Sequence, residues 1–264
     1  MDALSLVETT RRICALIASS EGGYVVTLNP EIVMRARRDP GLTMFIRAAR
    51  LVTADGMGIV WALRLAGQPI SERVTGVDLV EVLATQAAAQ GIPVFLLGAG
   101  EGVAQTVAQR LTERAPGLRI AGVWGGSPRP EDDAQTIARI HLSGARLLLV
   151  AYGAPTQELW IARNLPSLPG VVALGVGGAF DMLAGRIPRA PRWLRDLGLE
   201  WLYRLLREFW RWRRMLALPQ FAALSIIAAA HGWLTRAPDT GILALRDSSE
   251  KTLAPDERRS SQEH

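Results

Sequence analysis

Six short apolar runs, each leading into a stretch of helical periodicity, constrain this chain more than any other feature. "YVVTL" (24–28), "RLV" (50–52), "IPVFLLG" (92–98), "LRIAGVW" (118–124), "ARLLLVAYG" (145–153) and "GVVALGVG" (170–177) are rich in Val, Ile and Leu and lack polar alternation. Strands buried on both faces read this way. Helical patterns lie between them at 4–19, 30–38, 41–49, 57–66, 77–90, 101–114, 130–142 and 155–164. The alternation predicts an α/β fold with a mostly parallel sheet and helices on both faces. Ligands of such sheets sit at the carboxyl ends of the strands, so the loops after 28, 52, 98, 124, 153 and 177 are where a site is expected.

Past residue 192 no further strand is expected. The chain there reads as one Trp- and Arg-rich helix over 196–217, Pro219, and an apolar helix near 221–234. Five of the eight tryptophans fall in this region. Beyond Arg236 the composition turns polar, which predicts a disordered tail over 237–264. Three segments follow: a body over 1–191, a helical appendage over 192–236, and the tail. At 264 residues and 49% hydrophobic content, the chain can bury a full core.

Charge sharpens the contrast. The net charge is +5, yet Arg186 to Arg214 holds nine arginines against Asp196, Glu200 and Glu208, so the basic excess is local. Such a segment seeks phosphates, whether of nucleic acid, lipid or nucleotide. Lys251 is the sole lysine, so arginine number alone proves little and position must carry the argument. In one continuous helix Arg204, Arg207, Arg211 and Arg214 would fall within roughly 80° of one another, opposite Trp201, Leu205, Phe209 and Trp212. The apolar run at 221–230 is short of the ~20 residues that span a bilayer, so an interfacial helix is expected, lying on the membrane. The amino terminus "MDALSLVETTRR" lacks the pattern of a secretory signal. A cytoplasmic, peripheral location is expected. Cys14 is the single cysteine and has no partner for an internal disulfide.

Four loops carry the candidate chemistry. Asp55, in "ADGMG", reads either as a helix cap or as a general base at a strand tip. Thr27 and Asn29, in "TLNPEIVMRA", either cap the next helix or bind sugar hydroxyls. "GAGEG" (98–102) suits a phosphate loop, but the following strand ends "VWGGS" without the carboxylate a nicotinamide site wants at its ribose. Gln157 and Glu158 in "GAPTQELW" cap or bind, and Asp181 in "GVGGAFDMLAG" could accept a ribose or base hydrogen bond. Paired acids such as D-x-D are missing and "EDD" (131–133) reads as an exposed helix start, so no metal and no cofactor are expected.

Taken in order, "TLNPEIVMRA", "ADGMGIVWALRLAG", "ERVTGVDLV", "GAPTQELW", "GVGGAFDMLAGRIPRAP" and "GLEWLYRLLREFWRWRRM" resemble the WecG/TagA/CpsF glycosyltransferases, from about Tyr24 to Met215. The resemblance implies a Rossmann-like body and a carboxy-terminal appendage that touches the membrane. It implies inverting transfer of N-acetylmannosamine or a related hexose from a UDP-sugar to a polyprenyl-diphosphate-linked sugar. The family's catalytic aspartate falls on Asp55, and its active-site threonine and asparagine fall on Thr27 and Asn29. Its substrate-binding arginine falls on Arg73, its glutamine on Gln157, its nucleotide-side aspartate on Asp181, and the diphosphate arginines on Arg204, Arg211 and Arg214. The nucleotide side would also include Gly126, in the "GGSPRP" loop where relatives often carry an aromatic; Thr156 stands where lysine is common. Self-association is implied too, and no nucleic-acid partner. A non-catalytic nucleotide- or lipid-binding module is the alternative.

Overall fold

Leu147–Ala151 is apolar at every position because it runs through the middle of the molecule: Leu147 and Leu149 face one layer of helices, Leu148 and Val150 the other. The computed structural model of the chain describes residues 4–68, 70, 72–209 and 212–230. In chain order these are α1 (Leu6–Ala18), β1 (Gly23–Leu28), α2 (Pro30–Ala36), α3 (Pro40–Ala48), β2 (Leu51–Ala54), α4 (Met57–Leu65) and α5 (Gly76–Gln90). Then come β3 (Val94–Gly98), α6 (Val103–Arg114), β4 (Ile120–Trp124), α7 (Asp133–Ser143), β5 (Leu147–Ala151), α8 (Thr156–Asn164), β6 (Val172–Gly175) and α9 (Ala179–Leu183). Four helices complete the described chain: α10 (Arg192–Asp196), α11 (Glu200–Arg207), α12 (Trp212–Met215) and α13 (Ala217–Ala230).

All six strands pair parallel in the order β2-β1-β6-β5-β3-β4. One face packs on α1, α5, α6 and α9 through Val25, Leu96, Leu149, Leu174, Val107 and Phe180. The other packs on α2, α3, α7 and α8 through Val26, Leu97, Leu148, Ile32, Ile140 and Trp160. Each fully buried Leu or Ile contributes about 1.5–3 kcal/mol, so a charge at Leu148 would break the middle layer. Caps set the helix starts: Ser5, Asn29, Asp39 and Thr75 each accept a backbone N–H from the first turn of the helix that follows. Gly91 ends α5 at φ +65°, in the left-handed region where a Cβ would be strained.

The last four helices differ from the single helix expected over 196–217. The helix α11 stops at Arg207, and Glu208 takes φ −123°, ψ 63°. No proline or glycine marks the break. Glu208 is buried there, its carboxylate 3.5 Å from the Arg204 guanidinium. The helix expected over 196–217 is thus interrupted after Arg207; of the expected arginine stripe, Arg204 and Arg207 lie on α11, while Arg211 falls outside the described residues. Pro219 lies in the first turn of α13 rather than before it, a place where its missing N–H costs nothing. The helix α13 packs against α2 and α4, and its Phe221 joins Ala54, Ile59, Val60 and Ile70 in a third apolar cluster beside β2.

Candidate functional site

The strands β1 and β6 are neighbours, but the chain leaves β1 for the face of α2 and leaves β6 for the face of α9. Their carboxyl ends consequently open a crevice at a topological switch point. The Thr27 hydroxyl bridges it, donating to the Gly175 carbonyl at 3.2 Å. Around this point lies a cleft of about 640 Å³. Thr27, Asn29, Asp55, Arg73, Gly126, Gln157, Asp181 and Arg204 all line it, so residues scattered across the sequence meet at one place.

Asp55 follows β2, and its backbone N–H extends the pairing by donating to the Leu28 carbonyl at 2.8 Å. It does not cap α4. Gly56 occupies the cap position at φ +100° and no side chain completes the cap, which leaves the Asp55 carboxylate facing the cleft. Burial pushes that carboxyl up, against the pull of Arg73 and Arg204 and with the help of Glu200 and Asp78, to about 7. A carboxyl so placed exchanges a proton near neutrality, the property a general base needs.

Asn29 does cap: its side-chain oxygen accepts the Ile32 N–H at 3.0 Å at the start of α2, while the residue lines the cleft. Gln157 ties two loops together. Its side-chain oxygen accepts the Gly153 N–H at 3.2 Å and the Gly177 N–H at 2.9 Å, and its amide nitrogen donates to Glu158 at 2.9 Å. Burial pushes the Glu158 carboxyl up. Asp181 sits in the first turn of the short α9. Gly126 adopts φ +53°, and a Cβ there would meet the Trp124 indole nitrogen at 2.7 Å and the Tyr152 hydroxyl at 2.8 Å. At the "GAGEG" loop, Ala99 and Gly100 line the cleft and Arg186 donates to the Glu101 carbonyl at 2.5 Å.

The cationic side comes from two directions. Arg73 enters from the segment before α5, pinned by the Val74 N–H donating to the Ala54 carbonyl at 2.9 Å. Arg204 enters from α11; its Nε lies 3.5 Å from Glu208 Oε2, and its Nη2 is buried without a hydrogen-bond partner among the described residues. Arg211 lies outside the described residues, and Arg214 is described only as part of the α12 backbone. Among the described residues no group of three or more His, Cys, Asp or Glu is placed to hold a metal ion.

Sequence reasoning missed three contributors. Glu200, the first residue of α11, lines the cleft and pairs with Arg73 at 2.9 Å. Arg189 binds Asp78 through both terminal nitrogens, each at 2.7 Å, beside the Thr75 hydroxyl. Burial raises the Asp78 carboxyl, but Arg189 and Thr75 outweigh it and hold the group below the ordinary carboxylate value. Tyr152 carries a buried hydroxyl without a partner among the described residues and also lines the cleft. No local spacing signals these long-range pairs.

The appendage region exposes large apolar side chains, among them Trp193, Leu206, Phe209, Trp212 and Ile226. Among the described residues no helix is long and apolar enough to cross a membrane.

A parallel sheet covered on both faces, with its cleft at the switch point of strand tips, defines a Rossmann-like α/β protein. The chain belongs to the glycosyl transferase WecG/TagA/CpsF family, which it matches over residues 1–234. It is similar to the N-acetylglucosaminyldiphosphoundecaprenol N-acetyl-beta-D-mannosaminyltransferase of Bacillus spizizenii, 34% identical over 218 residues, covering 83% of this chain and 82% of that one. The enzyme of the same name from Bacillus subtilis is 33% identical over 201 residues, covering 76% and 78%. The chain is a glycosyltransferase.

Proposed function

We propose that this enzyme transfers N-acetylmannosamine or a related hexose, with inversion, from a UDP-sugar to a polyprenyl-diphosphate-linked sugar during cell-surface polysaccharide or teichoic acid type synthesis. The observation that carries this reading is Asp55: a carboxylate free of cap duty, facing the cleft, with a proton affinity near neutrality. The names of the two Bacillus relatives support the acceptor and the sugar.

In the proposed reaction Asp55 takes the proton from an acceptor hydroxyl as its oxygen bonds to the anomeric carbon. The bond from that carbon to the diphosphate oxygen breaks on the opposite face, and UDP leaves with the electron pair. Thr27 and Asn29 orient the sugar, Asp181 and Gly126 lie on the nucleotide side, and Gln157 holds the loops around it. Charge developing on the leaving diphosphate is met by arginines rather than by a metal ion, a task suited to the planar guanidinium fork. Arg73 and Arg204, whose buried Nη2 has no hydrogen-bond partner among the described residues, support that assignment, and Arg211 and Arg214 are proposed to join them. Residues 192–236 are proposed as the segment that meets the inner face of the membrane, where the acceptor's lipid lies; residues 1–191 form the catalytic body.

The test is a panel of UDP-sugars offered to the full chain with a synthetic polyprenyl-diphosphate N-acetylglucosamine, with product mass as readout. A UDP-sugar should give a disaccharide product, and Asp55→Asn should abolish it while keeping UDP binding. Saturable UDP binding without transfer from any donor would favour a non-catalytic module. Full turnover by Asp55→Asn would remove Asp55 as the base.

A further inference from the structure

Glu200 is a carboxylate largely withdrawn from water between two guanidinium groups. Its Oε2 lies 2.9 Å from Arg73 Nη1 and its Oε1 lies 4.0 Å from Arg189 Nε. Both members of the Arg73–Glu200 pair are mostly buried, at 14% and 13% side-chain exposure. Arg189 is anchored independently by its two-pronged contact with Asp78. Glu200 therefore sits in a rigid charged frame, and it lines the same cleft as Asp55.

We propose that Glu200 is a positioning residue for the candidate base, holding the Arg73 guanidinium in register with the cleft and offsetting its positive charge beside Asp55. The proposal rests on the reading of Asp55 as the base. An unopposed guanidinium beside a carboxylate favours the ionised form and weakens it as a proton acceptor. The charges that face Asp55 are Arg73 from the segment before α5, Asp78 from α5, and Glu200 and Arg204 from α11. Those facing Glu200 are Arg73, Arg189 and Asp55 itself. Removing the Glu200 charge shifts this balance toward the cations. Glu200 is also the first residue of α11, so the strength of the base is tied to the docking of a helix outside the sheet.

A purely structural latch makes a different prediction, because glutamine keeps the shape and can still accept a hydrogen bond from Arg73. Three variants of the full chain, Glu200→Gln, Glu200→Asp and Arg189→Gln, are compared with wild type by the pH dependence of kcat/KM. The acid limb of that profile reports the base in the free enzyme. Glu200→Gln should move the limb down by about half a pH unit or more. Glu200→Asp, which keeps the charge, should lower the rate but leave the limb in place. Arg189→Gln should move it up, since Glu200 and Asp78 then stand less compensated. A Glu200→Gln limb at the wild-type pH, or a Glu200→Asp shift as large as that of Glu200→Gln, overturns the proposal. If Glu200→Gln does not fold, Arg189→Gln decides: an upward shift supports the charge role and an unmoved limb refutes it. Failure of the underlying reading shows separately, as full turnover by Asp55→Asn.

Discussion

Replacing Asp55 by asparagine should stabilise the protein while abolishing its activity, and the gain should depend on pH. The folded carboxyl holds its proton up to about 7, against about 3.9 in an unfolded chain. Between those values the folded state binds more proton than the unfolded state, so stability falls as pH rises from about 4 to about 7, and the whole loss is present above 7. Three pH units at about 1.4 kcal/mol each set an upper limit on the order of 4 kcal/mol at pH 8. The asparagine amide still loses water, at roughly 1–2 kcal/mol. The expected net gain at pH 8 is about 2–3 kcal/mol, a Tm rise of roughly 5 °C or more for a chain of this size. At pH 5 wild type has regained about two of the three units, and the difference should nearly vanish. Urea unfolding of both proteins at pH 8 and pH 5 measures it. Equal midpoints at pH 8, or a gap that does not change with pH, would show that Asp55 carries no desolvated charge and would remove the physical basis for calling it a base.

Two further substitutions test the loop architecture. Gln157→Leu leaves the Gly153 and Gly177 N–H groups without their acceptor, which should cost about 2–4 kcal/mol and lower the melting temperature together with donor affinity; a melt within 1 °C of wild type would contradict the bridging role. Gly175→Ala places a Cβ 2.6 Å from the Gln157 amide nitrogen, so it should destabilise by about 1–3 kcal/mol and be partly relieved when combined with Gln157→Ala. Strictly additive effects in that pair would refute the contact.

The sheet was legible because parallel strands buried on both sides leave an unmistakable trace, as in "ARLLLVAYG", whose expected span over-runs the observed Leu147–Ala151 by two residues at each end. The loops were legible for the same reason: each polar, glycine-bearing stretch stands directly after such a run. What each loop residue does there was not. Aspartate at position 55 suits a cap and a base equally, and the choice falls to Gly56, whose φ of +100° takes the cap position. Asn29 went the other way and caps α2. The helix break at Glu208 left no local trace: no proline or glycine stands there, and the residue is a buried carboxylate 3.5 Å from Arg204. The Arg73–Glu200 pair joins residues far apart in sequence, which periodicity cannot report.

On the proposed reading, the distribution of charge around the cleft gives the last helices a role in the reaction. The sheet contributes helix starts and loop N–H groups, which favour anions only weakly and at short range. Among the described residues Arg73 and Arg204 are the arginines that line the cleft, and Arg73 is already engaged by Glu200. On the proposed reading the strand tips carry the base and the sugar-orienting pair, and among the described residues both lining arginines stand beside carboxylates, Arg73 beside Glu200 and Arg204 beside Glu208. Arg204 keeps its buried Nη2 without a hydrogen-bond partner among the described residues, and it lies on the helix that Glu200 begins. If the proposed roles hold, proton acceptance and leaving-group neutralisation both depend on α11, so displacing that one helix should remove a cation from the cleft and weaken the base together.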